Sequence, residues 1–185
     1  MVAQGKRMAT QVVARLRQMK GVGENTPIMI GLYRQAPQDS LVGGTYKTYM
    51  ISPKGTQIGQ WHDVNQQNEV LPLTDNKKGI NSSVASDFNN FSAQIRGFFP
   101  TLAGVTAQAH YEDSQLAGLK ITVNTQFYGQ TEINAFTQYV TTAASKYLPS
   151  GVKIEIDIVS VQGMQAFANR DTGQKNFYTH VFDSY

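Results

Sequence analysis

Apolar residues recur at helical spacing in three stretches of the chain and alternate with polar ones through most of the rest. Met8, Val12, Val13, Leu16 and Met19 place an amphipathic helix over residues 3–19, with Lys6, Arg7, Arg15 and Arg17 mostly between them. Gly21, Gly23 and Asn25 end it, and after Pro27 the run Ile28, Met29, Ile30, Leu32 and Tyr33 has strand character. Residues 37–44 read as a loop. Residues 45–51 and 57–64 alternate on either side of Pro53-Lys54-Gly55, which predicts a hairpin, and a third strand follows over 69–73.

Residues 74–81 are polar and contain Gly79, the pattern of a flexible linker. Beyond it, Val84, Phe88, Phe91, Ile95 and Phe98 recur every three or four positions, so a helix runs over 84–99, capped by Ser82 or Ser83 and stopped by Pro100. Strands are predicted over 105–111 and 119–127, joined through Glu112, Asp113 and Ser114. A third helix covers 131–148, with Thr131 as its candidate cap and Ile133, Phe136, Tyr139, Val140, Ala143, Ala144 and Tyr147 on its apolar face. Pro149 and Gly151 end it. Val152, Ile154, Ile156, Ile158 and Val161 then alternate with Lys153, Glu155 and Asp157, and two shorter strands follow over 164–168 and 177–182.

Helix followed by antiparallel strands, more than once, predicts an α+β fold with helices packed on a mostly antiparallel sheet. The joint Phe98-Phe99-Pro100 with Gly104-Val105 is answered by Tyr147-Leu148-Pro149 with Gly151-Val152. An internal duplication and shared turn chemistry both produce such an echo. The domain expectation is one unit over 1–185, divisible at the polar linker into subunits 1–78 and 79–185.

With 185 residues, 41% of them hydrophobic and 16% charged, the chain is long enough for a sizeable core. Its net charge of +3 comes from scattered residues, so no nucleic-acid partner is expected, because phosphate binding needs a concentrated basic patch. Cysteine is absent, which removes disulfides, thiolate metal sites and cysteine nucleophiles together. No stretch reaches the roughly 20 apolar residues that span a bilayer, and Met1 leads straight into a helical pattern, which fits a soluble chain and equally a fragment whose targeting sequence lies upstream.

Candidate chemistry is sparse. His62, His110 and His180 lie far apart without the close pairing of a zinc site, so no metal or other cofactor is expected. Gly43-Gly44 and Gly21-x-Gly23 lack the partners of a phosphate loop and read as turns. Glu112-Asp113 sits at a hairpin tip, and Glu155 with Asp157 occupies the polar face of a strand, so no catalytic residues are assigned. Tyr46, Tyr49 and Trp61 occupy the predicted hairpin beside a long loop, an arrangement that binds sugars or peptides as well as one that packs a core. They are the candidate ligand-binding residues.

Several stretches resemble the carboxy-terminal half of CamS-family sex-pheromone precursor lipoproteins. They are Gln4-Gly5-Lys6-Arg7-Met8-Ala9, the run from Pro27 to Ala36, Phe98-Phe99-Pro100 with Gly104-Val105, Phe136-Thr137-Gln138-Tyr139-Val140, Val152-Lys153-Ile154-Glu155-Ile156 and Ser160-Val161-Gln162-Gly163. The resemblance implies an extracytoplasmic protein of a Gram-positive cell, held at the membrane by a lipidated cysteine upstream of this chain, with two related α+β repeats. It also implies that the pheromone, which induces plasmid conjugation, comes from the signal peptide, so that activity is not expected of these residues. The leading expectation is a noncatalytic domain that binds an envelope protein, a peptide or a glycan. The rival is a cell-envelope hydrolase whose groups, drawn from Asp39, His62, His110, Glu112, Asp157 and His180, converge in one pocket.

Overall fold

The computed structural model describes residues 2–74, 77–98 and 104–182. It has three helices and two mostly antiparallel sheets, the α+β arrangement expected. The chain divides into two compact units, Met1–Gln67 and Asn68–Tyr185.

In the first unit, helix α1 (Val2–Arg17) covers one face of a sheet ordered β1 (Ile28–Arg34), β2 (Thr45–Ser52), β3 (His62–Asp63). The face it buries is not the one its large residues predict. Ala9 and Val13 are buried with Met50, whereas Met8, Val12 and Met19 are exposed. Small residues explain the rotation: a Cβ on Gly5 would lie 2.9 Å from Leu32, so Gly5, Ala9 and Val13 let the helix sit close to the sheet. The helix end is tied down by Arg17, whose Nε donates to the Gly55 carbonyl at 2.6 Å and whose Nη1 donates to that of Gly23 at 2.7 Å.

The predicted hairpin over 45–51 and 57–64 is largely absent. Only His62 and Asp63 pair with β2, opposite Tyr49 and Thr48. Ile58 and Trp61, three residues apart, both pack on the Ala9, Val13, Met50 cluster, which a strand of period two does not allow. Gly59 also presses on β2, since a Cβ there would lie 2.1 Å from the Ile51 carbonyl oxygen.

The strand predicted at 69–73 is β4 (Gln66–Leu71), which joins a second, six-stranded sheet ordered β4, β5 (Gly104–Glu112), β6 (Gln115–Asn124), β7 (Lys153–Ser160), β8 (Gly163–Arg170), β9 (Tyr178–Val181). Helices α2 (Ser82–Phe98) and α3 (Gln130–Tyr147) supply Phe88, Phe91, Ile95, Ile133, Phe136 and Val140 to a core shared with Ile121, Ile154, Ile156 and Ile158. β6 and β7 are parallel with α3 between them in sequence, while β5–β6 and β7–β8 are antiparallel hairpins. The order helix then hairpin therefore occurs twice; Phe99 and Pro100 of the sequence echo lie outside the described residues.

Cap and turn details differ from expectation. Asn81, not Ser82 or Ser83, caps α2, its Oδ1 accepting from the backbone N–H groups of Ser83 and Val84 at 3.0 and 3.4 Å. Gly129 is the N-cap of α3, with Thr131 inside the helix. The turn between β5 and β6 consists of Asp113 and Ser114, both at positive φ, 48° and 64°. That two-residue turn brings Gln115 directly opposite Glu112, so β6 starts earlier than the alternation suggests.

Candidate binding surfaces

β1 sends Ile28, Ile30 and Leu32 toward α1, which leaves Met29, Gly31 and Tyr33 on the other face. Met29 pairs with Ile51 and Gly31 with Tyr49; a register shift between Leu32 and Tyr33 then sets Tyr33 opposite Tyr46. Three residues apart, Tyr46 and Tyr49 would point to opposite faces of a regular strand. The irregularity puts them on the same one: the Tyr46 ring lies over Gly31, where a Cβ would meet it at 3.0 Å, and meets the Tyr33 ring edge-on at 5.2 Å. Tyr49 stacks on the His62 ring with centroids 5.0 Å apart.

The outcome is a contiguous apolar and aromatic face, with Met29 65%, Tyr33 53%, Tyr46 50% and Ile51 46% exposed. Trp61 is not part of it. Trp61 packs on the α1 side, against the Ala9, Val13, Met50 cluster, with Lys6 Nζ 5.3 Å from its ring. Of the three candidate residues, two share the outer face and the third lies on the opposite one. Met29, Tyr33 and Ile51 were not singled out from sequence; their signal is a run in which both alternating sets are apolar. This unit also carries eight lysines and arginines against three acidic residues, a stronger basic balance than the whole chain has.

Of the ionisable residues considered for an active site, the structure brings His110 and Glu112 together. Asp39 and His62 belong to the first unit. In the second, His110 has Asn68 Oδ1 2.6 Å from Nδ1 and Glu112 Oε1 3.5 Å from Nε2. Asp157 pairs with Lys120 at 3.3 Å, Glu155 with Lys153 at 2.8 Å, and His180 lies among the Phe167 and Phe182 rings. The hydrogen bond to Glu155 raises the Lys153 pKa. Tyr111 is fully buried, and its pKa is pushed up to about 12 by that burial first and then by Glu69, whose carboxylate accepts its hydroxyl at 3.4 Å. Among the described residues, no group of three or more His, Cys, Asp or Glu side chains is placed to hold a metal ion, and no helix is long and apolar enough to cross a membrane.

The profile described as CamS sex pheromone cAM373 precursor matches residues 1–176. The chain belongs to the CamS family. It is similar in structure, with a TM-score of 0.91 and 46% identity, to the sex pheromone precursor of Lactobacillus salivarius subsp. salivarius, covering 100% of this chain and 54% of that one. The C-terminal domain of the sex pheromone staph-cAM373 precursor from Staphylococcus aureus aligns over 98% of this chain and 54% of its own, with a TM-score of 0.83; at 24% identity that likeness concerns the fold alone. A further structure of a sex pheromone staph-cAM373 precursor has a TM-score of 0.63 at 22% identity, over 98% of this chain and 64% of its own. The chain thus spans roughly half to two thirds of the solved relatives it matches. No curated protein matches it.

Proposed function

We propose that the chain is the noncatalytic, extracytoplasmic part of a lipid-anchored CamS-type pheromone precursor, and that its first unit binds an envelope protein through the outer face of β1 and β2. The observation that carries this reading is the exposure together of Met29, Tyr33, Tyr46 and Ile51 on one sheet face. Singly exposed apolar residues are ordinary, but contiguous patches rich in tyrosine and methionine are typical of protein interfaces. A protein fits better than a small ligand because the face is a sheet surface built of side chains in register rather than an enclosed cavity. The basic balance of the unit selects an acidic partner and speeds encounter with it. Contact with the membrane runs through a lipid anchor upstream, and the pheromone itself comes from the signal peptide.

Affinity capture from solubilised Gram-positive envelopes tests this, with the natural chain and its Tyr33→Ser/Tyr46→Ser variant run in parallel. The expected result is an acidic protein retained by the natural chain, at least tenfold depleted with the variant, and released by raised salt. Retention that is equal on both chains contradicts the proposal.

A further inference from the structure

The second sheet has a face of another kind, on the side opposite α2 and α3. Gly118 lies within β6, directly between His110 on β5 and Lys153 on β7. Where a side chain would stand there is a cavity of about 220 Å³, lined among others by Asn68, Gln108, His110, Lys120, Lys153 and Glu155. Two residues away along each strand, and so on the same face, a row crosses the sheet in register: Gln108, Lys120, Glu155, Asn169, Tyr178. Its far end is aromatic. Tyr178 is 61% exposed, and Phe167 beside it lies 6.1, 5.7 and 6.0 Å, ring to ring, from Tyr178, His180 and Phe182.

The charges decide what fits. Lys153 already holds Glu155 at 2.8 Å and Lys120 holds Asp157 at 3.3 Å, so neither ammonium offers the uncompensated charge that a phosphate or carboxylate ligand needs. What remains is an alternation of amide, ammonium and carboxylate groups able to give and accept hydrogen bonds, leading to a ring surface that can take an apolar face. Neighbouring strands are about 4.8 Å apart, so from the notch at Gly118 to Tyr178 the row extends over roughly 14 Å. A chain of neutral sugars has this chemistry: hydroxyls on its edges and C–H faces on its rings.

The geometry points to an oligosaccharide-binding site on this face, taking a neutral glycan with one sugar in the Gly118 notch and another against Tyr178. It is independent of the protein-binding surface of the first unit. The site is built on five hydrogen-bonded strands, so its groups are held in place before the ligand arrives.

Titration of the whole chain with soluble N-acetylglucosamine tetramer and cellotetraose, followed by amide NMR and calorimetry, tests it. At millimolar sugar, at least one tetramer should shift amides of β6 to β9, and both Gly118→Val and Tyr178→Ala should weaken binding tenfold or more. A Cβ at Gly118 meets only the Lys153 carbonyl oxygen at 3.8 Å, an ordinary contact, so the backbone accepts a side chain there and Gly118→Val places one in the notch. An unchanged circular dichroism spectrum and melting temperature in both variants checks this. The proposal is overturned if neither sugar shifts those amides, if both variants bind like the natural chain, if the shifts fall on β1 and β2, or if inorganic phosphate binds the notch in preference to sugar.

Discussion

A single methyl group separates glycines that the fold needs from one that leaves room for a ligand. At Gly59 and Gly44 a Cβ would stand 2.1 and 2.0 Å from the carbonyl oxygens of Ile51 and Arg34, so Gly59→Ala must displace backbone and should destabilise the first unit by about 1–3 kcal/mol, read as a lower urea midpoint. Gly118 has no such neighbour. Tyr111 gives a pH signature instead. An unfolded tyrosine loses its proton near 10, whereas buried Tyr111 keeps its own to about 12, so in that window the unfolded chain binds fewer protons and stability falls as pH rises. Urea titrations across this range should show the fall in the natural chain and a shallower one in Tyr111→Phe. Arg170 is buried and stacked 4.8 Å over Phe177 and donates to the Pro149 carbonyl, while its Nε has no partner. Burial accordingly lowers its pKa.

Among the elements, those whose packing follows one period were legible and those that depart from it were not. β7 buries Ile154, Ile156 and Ile158 on one face, and the sequence alternates accordingly. Likewise α2 and α3 bury Phe88, Phe91 and Phe136 as their spacing predicts, whereas Phe98 at the end of α2 is 44% exposed and Tyr139 and Tyr147 are only partly buried. In α1 the helix was legible but its face was not, because Gly5 and Ala9 carry no apolar signal although they form the close contact. Ala9→Leu should therefore destabilise the first unit by about 1–3 kcal/mol through overpacking, whereas Met8→Gln on the exposed side should shift the melting temperature little. β3 was overestimated because Ile58 and Trp61 leave the strand period to reach one cluster. The candidate site was half legible for a related reason: the shift that aligns Tyr46 with Tyr49 has no sequence mark, and Trp61 is claimed by packing.

At the scale of the whole molecule, two cores stand in two units, one built on Val13 and Met50 and a far larger one on the six-stranded sheet. A fragment spanning 68–185 should consequently fold alone and unfold in a single cooperative transition by calorimetry; a fragment without a transition would contradict this. The smaller, basic unit presents the apolar face. The claim that this face meets a protein is tested most directly by photo-crosslinking on living Gram-positive cells displaying the domain. A photoreactive side chain replaces Met29 in one variant and, as control, Val161, which is 87% exposed at the β7–β8 turn, in another. The account predicts a discrete protein adduct from position 29 and none from position 161. Equal adducts from both, or none from position 29, would contradict it.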